Sequence, residues 1–139
     1  MGALIIIKQA SDLSVIVESG IAIDAKVSTA LLENIFFKNA PLHDGAVVIS
    51  GGRVVAAKCV LPSTQQAVPK AYGMRHRAAL GMSEVSDAIV IAVSEETGGI
   101  SLAHDSVIKR NIDPQRMAQS IRQLMRINTQ RQADIQADK

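Results

Sequence analysis

Short apolar runs rich in β-branched residues recur at Ala3–Ile7, Gly45–Ser50, Arg53–Leu61, Ala88–Ser94 and Ile100–Ala103, most of them bounded by Gly, Pro, Asp or Ser. Runs of this length and composition predict strands. Gly51-Gly52 is a two-residue hairpin signal, so Ala46–Ile49 and Val54–Val60 are expected to pair antiparallel; Gly98-Gly99 is expected to link Val90–Val93 to Ile100–Leu102 in the same way. Helical spacing fills the gaps: Ser11–Ser19, Ser28–Phe37 with Ser28 as N-cap, Ala71–Glu84, and Pro114–Thr129 with Asp113 as N-cap and Pro114 at the first helical position. The expected fold is therefore a single α/β domain over residues 1–129, a central mixed β-sheet flanked by helices, with a polar and disordered tail at 130–139.

In the last helix Met117, Ile121, Leu124 and Met125 recur at three- and four-residue spacing, while Arg116, Arg122 and Arg126 turn elsewhere. That is the pattern of a packed terminal helix with a solvated basic face; a docking face for a regulatory protein or a membrane surface is the sharper alternative. The charge balance points to the same segment. Residues 1–107 carry eight Lys/Arg against ten Asp/Glu, net −2, whereas 108–139 carry seven against three, net +4. No basic stripe runs along the main body, so nucleic acid is not an expected partner.

Composition narrows the class further. At 139 residues with 47% hydrophobic content, the chain has enough aliphatic side chains for one core and too few residues for a modular enzyme. The longest strictly apolar stretch, Ala88–Val93, is far short of the roughly 18 residues of a membrane span, and no signal-peptide layout precedes it, so the chain as given is expected to be soluble. Cys59 lies inside an apolar run and reads as a small buried hydrophobe. With only Phe36, Phe37 and Tyr72 as aromatics, a bound nucleotide has to be held by backbone, aliphatic and charged groups.

Three polar islands interrupt this background. In Pro41-Leu42-His43-Asp44-Gly45-Ala46 an acid stands at the mouth of a strand. Asp44 either closes an Asx turn or faces a ligand, and the small Gly45 and Ala46 leave room for the latter; His43 alone is more often structural. In Gly73-Met74-Arg75-His76-Arg77 a helix opens on three potentially cationic side chains, which oppose its dipole unless an anion, best a phosphate, sits there. Arg75 and Arg77, two apart, point to different sides of a regular helix. In Ser94-Glu95-Glu96-Thr97-Gly98-Gly99 two carboxylates follow a strand; on an extended segment they diverge, one inward to a metal or substrate and one outward. An oxygen-ligated divalent ion, cations for phosphates and small residues for close approach are together what a nucleoside triphosphate requires. No phosphate loop, Rossmann fingerprint or zinc spacing is visible, so the nucleotide fold implied is a nonstandard one.

Through Asp44-Gly45-Ala46, Arg75-His76-Arg77 and Val93 to Ser101, with Ala25 to Ser28, Pro41 to His43, Leu61-Pro62 and Ala78 to Asp87 in matching order, the sequence resembles the diadenylate cyclase domain family over roughly residues 2–120. The resemblance implies condensation of two ATP into cyclic di-AMP with release of two pyrophosphates, dependent on Mn²⁺, Mg²⁺ or Co²⁺, by a homodimer. It implies that Asp44 deprotonates or orients the attacking 3′-hydroxyl, and that Arg75, His76 and Arg77 bind phosphates and stabilise the leaving pyrophosphate. Gly45, Ala46, Ser94, Glu95, Glu96 and Thr97 would line the nucleotide pocket, with Leu61 and Met74 flanking adenine and ribose, and His43 and Glu96 would reach the metal. A free aspartate is a poor base for a hydroxyl, so the ion is expected to supply much of the activation. The similarity is to the membrane-anchored bacterial type, which implies that this chain is the cytosolic catalytic portion following N-terminal transmembrane helices. Met74 stands where many relatives have Thr, and Ser106 where Gly is common, the latter with only a local backbone effect expected. The competing reading is a non-catalytic module that binds ATP or cyclic di-AMP as a sensor.

Overall fold

A computed structural model describes residues 1–138. The elements run β1 (Ala3–Ile7), α1 (Ser14–Glu18), β2 (Ile21–Lys26), α2 (Thr29–Phe36), β3 (Ala46–Ser50), β4 (Arg53–Cys59), α3 (Met74–Val85), β5 (Ile89–Val93), β6 (Ile100–His104), β7 (Val107–Ile112) and α4 (Pro114–Ala137). The strands form one seven-stranded sheet in the order β2-β4-β3-β1-β5-β6-β7. Only β1 and β3 pair in parallel; every other neighbour is antiparallel. The mixed α/β sheet of the sequence expectation is thus the observed fold.

The strands read as nearly continuous apolar runs because helices cover both faces of the sheet. Leu4, Ile6, Val48, Val90 and Ala92 turn toward one face, where Leu13, Ile16 and Val17 of the α1 region and Ala79 and Met82 of α3 close over them. Ala3, Val47, Val54 and Ala57 turn to the other, beneath Leu31, Leu32, Ile35 and Phe36 of α2. Alternation along each strand divides the core into these two clusters. Ser28 caps α2 as expected, its hydroxyl accepting from the Leu31 N–H at 3.1 Å, and Asp113 caps α4 by accepting from the Gln115 N–H at 3.0 Å.

Two strands escape the sequence pattern, and both are edges. In β2 the alternation is broken by a bulge between Ala22 and Ala25, with Asp24 left-handed at φ 53° and held by the Arg53 guanidinium at 2.8 Å. In β7 the polar Lys109-Arg110-Asn111 hides the strand, and its hairpin turns on Asp105 and Ser106, both at positive φ where glycine is the common signal. Gly51 and Gly52 make the expected tight turn between β3 and β4. The β5–β6 hairpin is longer than expected: Val93 pairs with Ile100, so Ser94 to Gly99 form a six-residue loop rather than a Gly-Gly turn.

The C-terminal expectations also shift. The helix α4 continues to Ala137 instead of ending at Thr129, and most of the segment expected to be disordered is helical. Its Gln, Arg and Ala residues are good helix formers, and no Gly or Pro interrupts them; Lys139 lies outside the described residues. Met117, Ile121 and Leu124 are only half-buried and Met125 is exposed, so the apolar stripe is a partial contact. The one buried residue of α4 is Asn128, whose Oδ1 sits 2.7 Å from His104 Nε2 while its Nδ2 donates to the Asp87 carbonyl at 2.9 Å. No helix among the described residues is long and apolar enough to cross a membrane.

Against α3 the 62–64 segment lies so close that a Cβ at Gly81 would fall on the Pro62 carbonyl oxygen and within 2.7 Å of the Ser63 carbonyl carbon and Thr64 nitrogen. Gly81→Ala gains about 1 kcal/mol of helix propensity but drives backbone against backbone, so a net destabilisation of about 1–3 kcal/mol is expected by denaturant titration. An unchanged or raised midpoint would contradict this contact.

Candidate functional site

The C-terminal end of β4, the mouth of β3 and the start of α3 enclose an open cavity of about 570 Å³. Asp44 and Gly45 form one wall, Lys58 to Leu61 a second, Met74, Arg75 and Ala78 a third, and Ser19 to Ile21 the rim. The walls meet because Gly45 has no side chain. A Cβ there would stand 2.8–2.9 Å from the Cα and carbonyl carbon of Lys58 and the carbonyl oxygen of Cys59, and Gly45 itself adopts φ 101°. A bulge in the β3–β4 ladder accommodates this approach, with Lys58 left-handed at φ 58°. Asp44 is thereby placed at the opening, exposed, where apolar Ile21, Val60 and Met74 also stand exposed.

Arg75 is the wall between this cavity and a smaller one of about 300 Å³. There it meets Glu95, Nη1 to Oε2 at 3.5 Å, and His43. His43 Nδ1 lies 2.7 Å from the Ala40 carbonyl oxygen. A carbonyl only accepts, so the neutral ring carries its proton on Nδ1 and leaves the Nε2 lone pair free. Among the described residues no three His, Cys, Asp or Glu side chains gather into a metal cage. The donors present, one imidazole nitrogen and separate carboxylates, suit a hard divalent ion that takes most of its ligands from phosphate and water.

The second polar island divides in space. Arg75 faces the cavities; Arg77 turns away, its Nε donating to the Tyr72 carbonyl at 3.4 Å. His76 is buried, and its Nδ1 accepts from the Gly73 N–H at 3.2 Å, which closes the first turn of α3. An acceptor Nδ1 means a neutral ring, so the first turn carries two cations and not the three the sequence allows. Burial, reinforced by the Arg110 charge, holds the imidazole below the ordinary histidine range. Tyr72 completes this second cluster, its ring 5.7 Å from that of His76 and 4.9 Å from the Arg110 guanidinium carbon. Neither Tyr72 nor Arg110 was marked by a motif.

In the third island Glu95 and Glu96 stand on a turn and not on the extended segment the expected divergence assumed, and both are exposed. Glu95 pairs with Arg75, and Glu96 makes no ion pair among the described residues. The hydroxyls of Ser94 and Thr97 shape the loop, accepting from the Thr97 and Gly99 N–H groups at 3.3 and 3.1 Å. Of the expected site residues, Asp44, Gly45, Leu61, Met74 and Arg75 line the large cavity; His43, Arg75 and Glu95 line the small one. Ala46, His76, Arg77, Ser94, Glu96 and Thr97 line neither. Lys58 and the 19–21 rim were missed because a lone lysine in an apolar strand and a helix end carry no motif. Cys59 is buried as expected, and burial raises its thiol above the ordinary range.

The family model for the DisA bacterial checkpoint controller nucleotide-binding domain, DAC, matches residues 1–108. Cyclic di-AMP synthase CdaA of Bacillus subtilis is 42% identical over 130 residues, 93% of this chain and 48% of that protein. A diadenylate cyclase of Listeria monocytogenes is 47% identical over 118 residues, 84% of this chain and 43% of that protein. The chain thus spans about half the length of the curated relatives it matches. Among solved structures, DacA from Staphylococcus aureus, a double cysteine mutant, matches with TM-score 0.86 and 42% identity over 89% of this chain and 83% of that one. A hypothetical membrane spanning protein from Bacillus cereus matches with TM-score 0.77 and 40% identity, over 81% of this chain and 55% of that one.

The buried neutral His76 sets a pH dependence. Its proton is bound more weakly in the folded than in the unfolded chain, so stability is full above about pH 6.5 and falls as the pH drops below it. Denaturant titrations on either side of that value should show a smaller acid loss for His76→Gln than for the parent chain. Equal losses would exclude His76 as the titrating group.

Proposed function

The chain belongs to the DAC family of bacterial nucleotide-binding domains, and from that premise we propose that it condenses two ATP molecules into cyclic di-AMP, releasing two pyrophosphates. The observation that carries the reading is the single cavity in which the Asp44 carboxylate and the Arg75 guanidinium face the apolar surfaces of Leu61 and Met74. A carboxylate for a hydroxyl proton, a cation for phosphate and an aliphatic clamp for a purine are what the reaction asks of one protomer.

Asp44 accepts a hydrogen bond from the 3′-hydroxyl and takes up its proton as the oxygen attacks the α-phosphorus of the other nucleotide. The bond to pyrophosphate breaks as the new P–O bond forms. Arg75, whose pair with Glu95 is half-exposed and therefore weak, exchanges that carboxylate for phosphate oxygens. Leu61 and Met74 hold base and ribose, and Arg77 and His76 support the first turn of α3 from behind. His43, through Nε2, and Glu96 would hold a divalent ion, Mn²⁺, Mg²⁺ or Co²⁺, which would supply Lewis-acid stabilisation of the negative charge that develops around the attacked phosphorus.

Each ATP is nucleophile and electrophile at once, so two copies of the open cavity have to face each other across a two-fold axis. The functional unit is then a homodimer assembled at least while substrate is bound. A parent protein anchored in the bacterial cell membrane completes the reading.

Incubation with ATP and each metal, resolved by chromatography and mass, tests it. Asp44→Asn should lower cyclic di-AMP formation by at least about 10²-fold while ATP binding stays within a few-fold. Specific activity should also rise with enzyme concentration, because pairing limits turnover at high dilution. Full activity in the Asn variant, or a specific activity independent of dilution in a monomeric sample, would sink the mechanism or the dimer respectively.

A further inference from the structure

We infer that Lys58 is a substrate-binding residue, the cation that holds a nucleotide phosphate at the mouth of the Asp44 cavity; the inference rests on the nucleotide reading given above. Lys58 lines that cavity with Asp44 and Arg75, the other charged side chains of its wall. Arg75 is engaged by Glu95 at 3.5 Å. Among the described residues the Lys58 ammonium makes neither an ion pair nor a hydrogen bond, and the residue is exposed. Beside the weakly paired Arg75 the cavity therefore holds a second cation with no partner at all, on a flexible stem suited to a mobile triphosphate.

The backbone gives an independent reason. Six non-glycine residues among those described have positive φ, and five of them, Asp24, Asn39, Asp105, Ser106 and Asn111, are short polar types that tolerate this conformation. Lys58 is the sixth, at φ 58° in β4, and the only long side chain among them. Glycine or asparagine would sit there with less strain, and a long cation retained in an unfavoured conformation beside a binding cavity marks function over local stability. The close approach of Gly45 fixes the Lys58 backbone against the residue that follows Asp44, so the lysine and the carboxylate stand on adjoining walls of one cavity.

Four versions of the full chain test this: the parent, Lys58→Asn, Lys58→Gly and Lys58→Arg, each titrated with ATP in Mg²⁺ or Mn²⁺ by calorimetry and assayed for cyclic di-AMP against ATP concentration. Loss of one charge-assisted contact to phosphate should weaken ATP binding and raise KM roughly 5- to 20-fold in the Asn and Gly variants, with kcat within about threefold. Lys58→Arg should restore KM to within about threefold of the parent, and the affinity of the Asn variant should depend less on salt. The Gly variant, freed of strain, should unfold at a higher denaturant concentration than the parent while binding ATP as poorly as the Asn variant. A purely structural role predicts the opposite pairing of stability and affinity. A parent that forms cyclic di-AMP beside an Asn variant binding ATP within about twofold of it, or an Arg variant as weak as Asn, overturns the Lys58 assignment alone; a parent that forms no product under any metal overturns the cyclase reading on which it rests.

Discussion

The contact on which the site depends is backbone against backbone, where β3 begins and β4 ends. Gly45 lies within van der Waals reach of Lys58 and Cys59 only because it has no Cβ, and on the opposite side of that segment a Cβ at Gly20 would strike the Ala57 carbonyl and Cys59 Sγ. The end of β4 is therefore clamped between two glycines. That clamp forces the bulge, sets Lys58 left-handed and leaves the strand mouth open for Asp44. Any side chain at position 45 would have to part the two strands, and with them the carboxylate and the wall it faces.

The same geometry explains what the sequence made legible. Strands β1, β3, β4, β5 and β6 announced themselves because a sheet covered on both sides needs apolar residues at consecutive positions. Edge strands have no such need: β2 and β7 keep half or more of their residues in solvent, and polar Asp24, Lys109 and Arg110 erased the pattern. The caps at Ser28 and Asp113 were legible because a cap is a local hydrogen bond, decided by the residues beside it. Asn128 was not, because its partners His104, Gln9 and Asp87 come from distant parts of the chain and only the fold brings them together.

Within the site, residue types were easier to read than directions. The Arg75-His76-Arg77 triplet was marked by its charge against the helix dipole, and the divergence of its arginines followed from helical spacing. That His76 turns back to cap its own helix could not be read, since a buried acceptor nitrogen and an exposed imidazolium look alike in sequence. Strand alternation was the wrong premise for Glu95 and Glu96: the chain leaves the strand at Ser94, and a turn carries both into solvent.

Arg75 ties the two cavities into one electrostatic unit. Its 3.5 Å pair with Glu95 is long, and the Glu95 side chain is 55% exposed, so solvent screens it and the pair contributes about 0–1 kcal/mol. A guanidinium that is positioned but weakly satisfied is one a phosphate can claim, since bidentate charge-assisted bonds to a dianion are stronger than a screened single contact. On the proposed cyclase reading, Glu95 would hold the fork in place before substrate arrives, lessening the ordering cost at binding, and give way when it does. The acid that seems to oppose anion binding is, on this account, what keeps the cation aimed at the cavity.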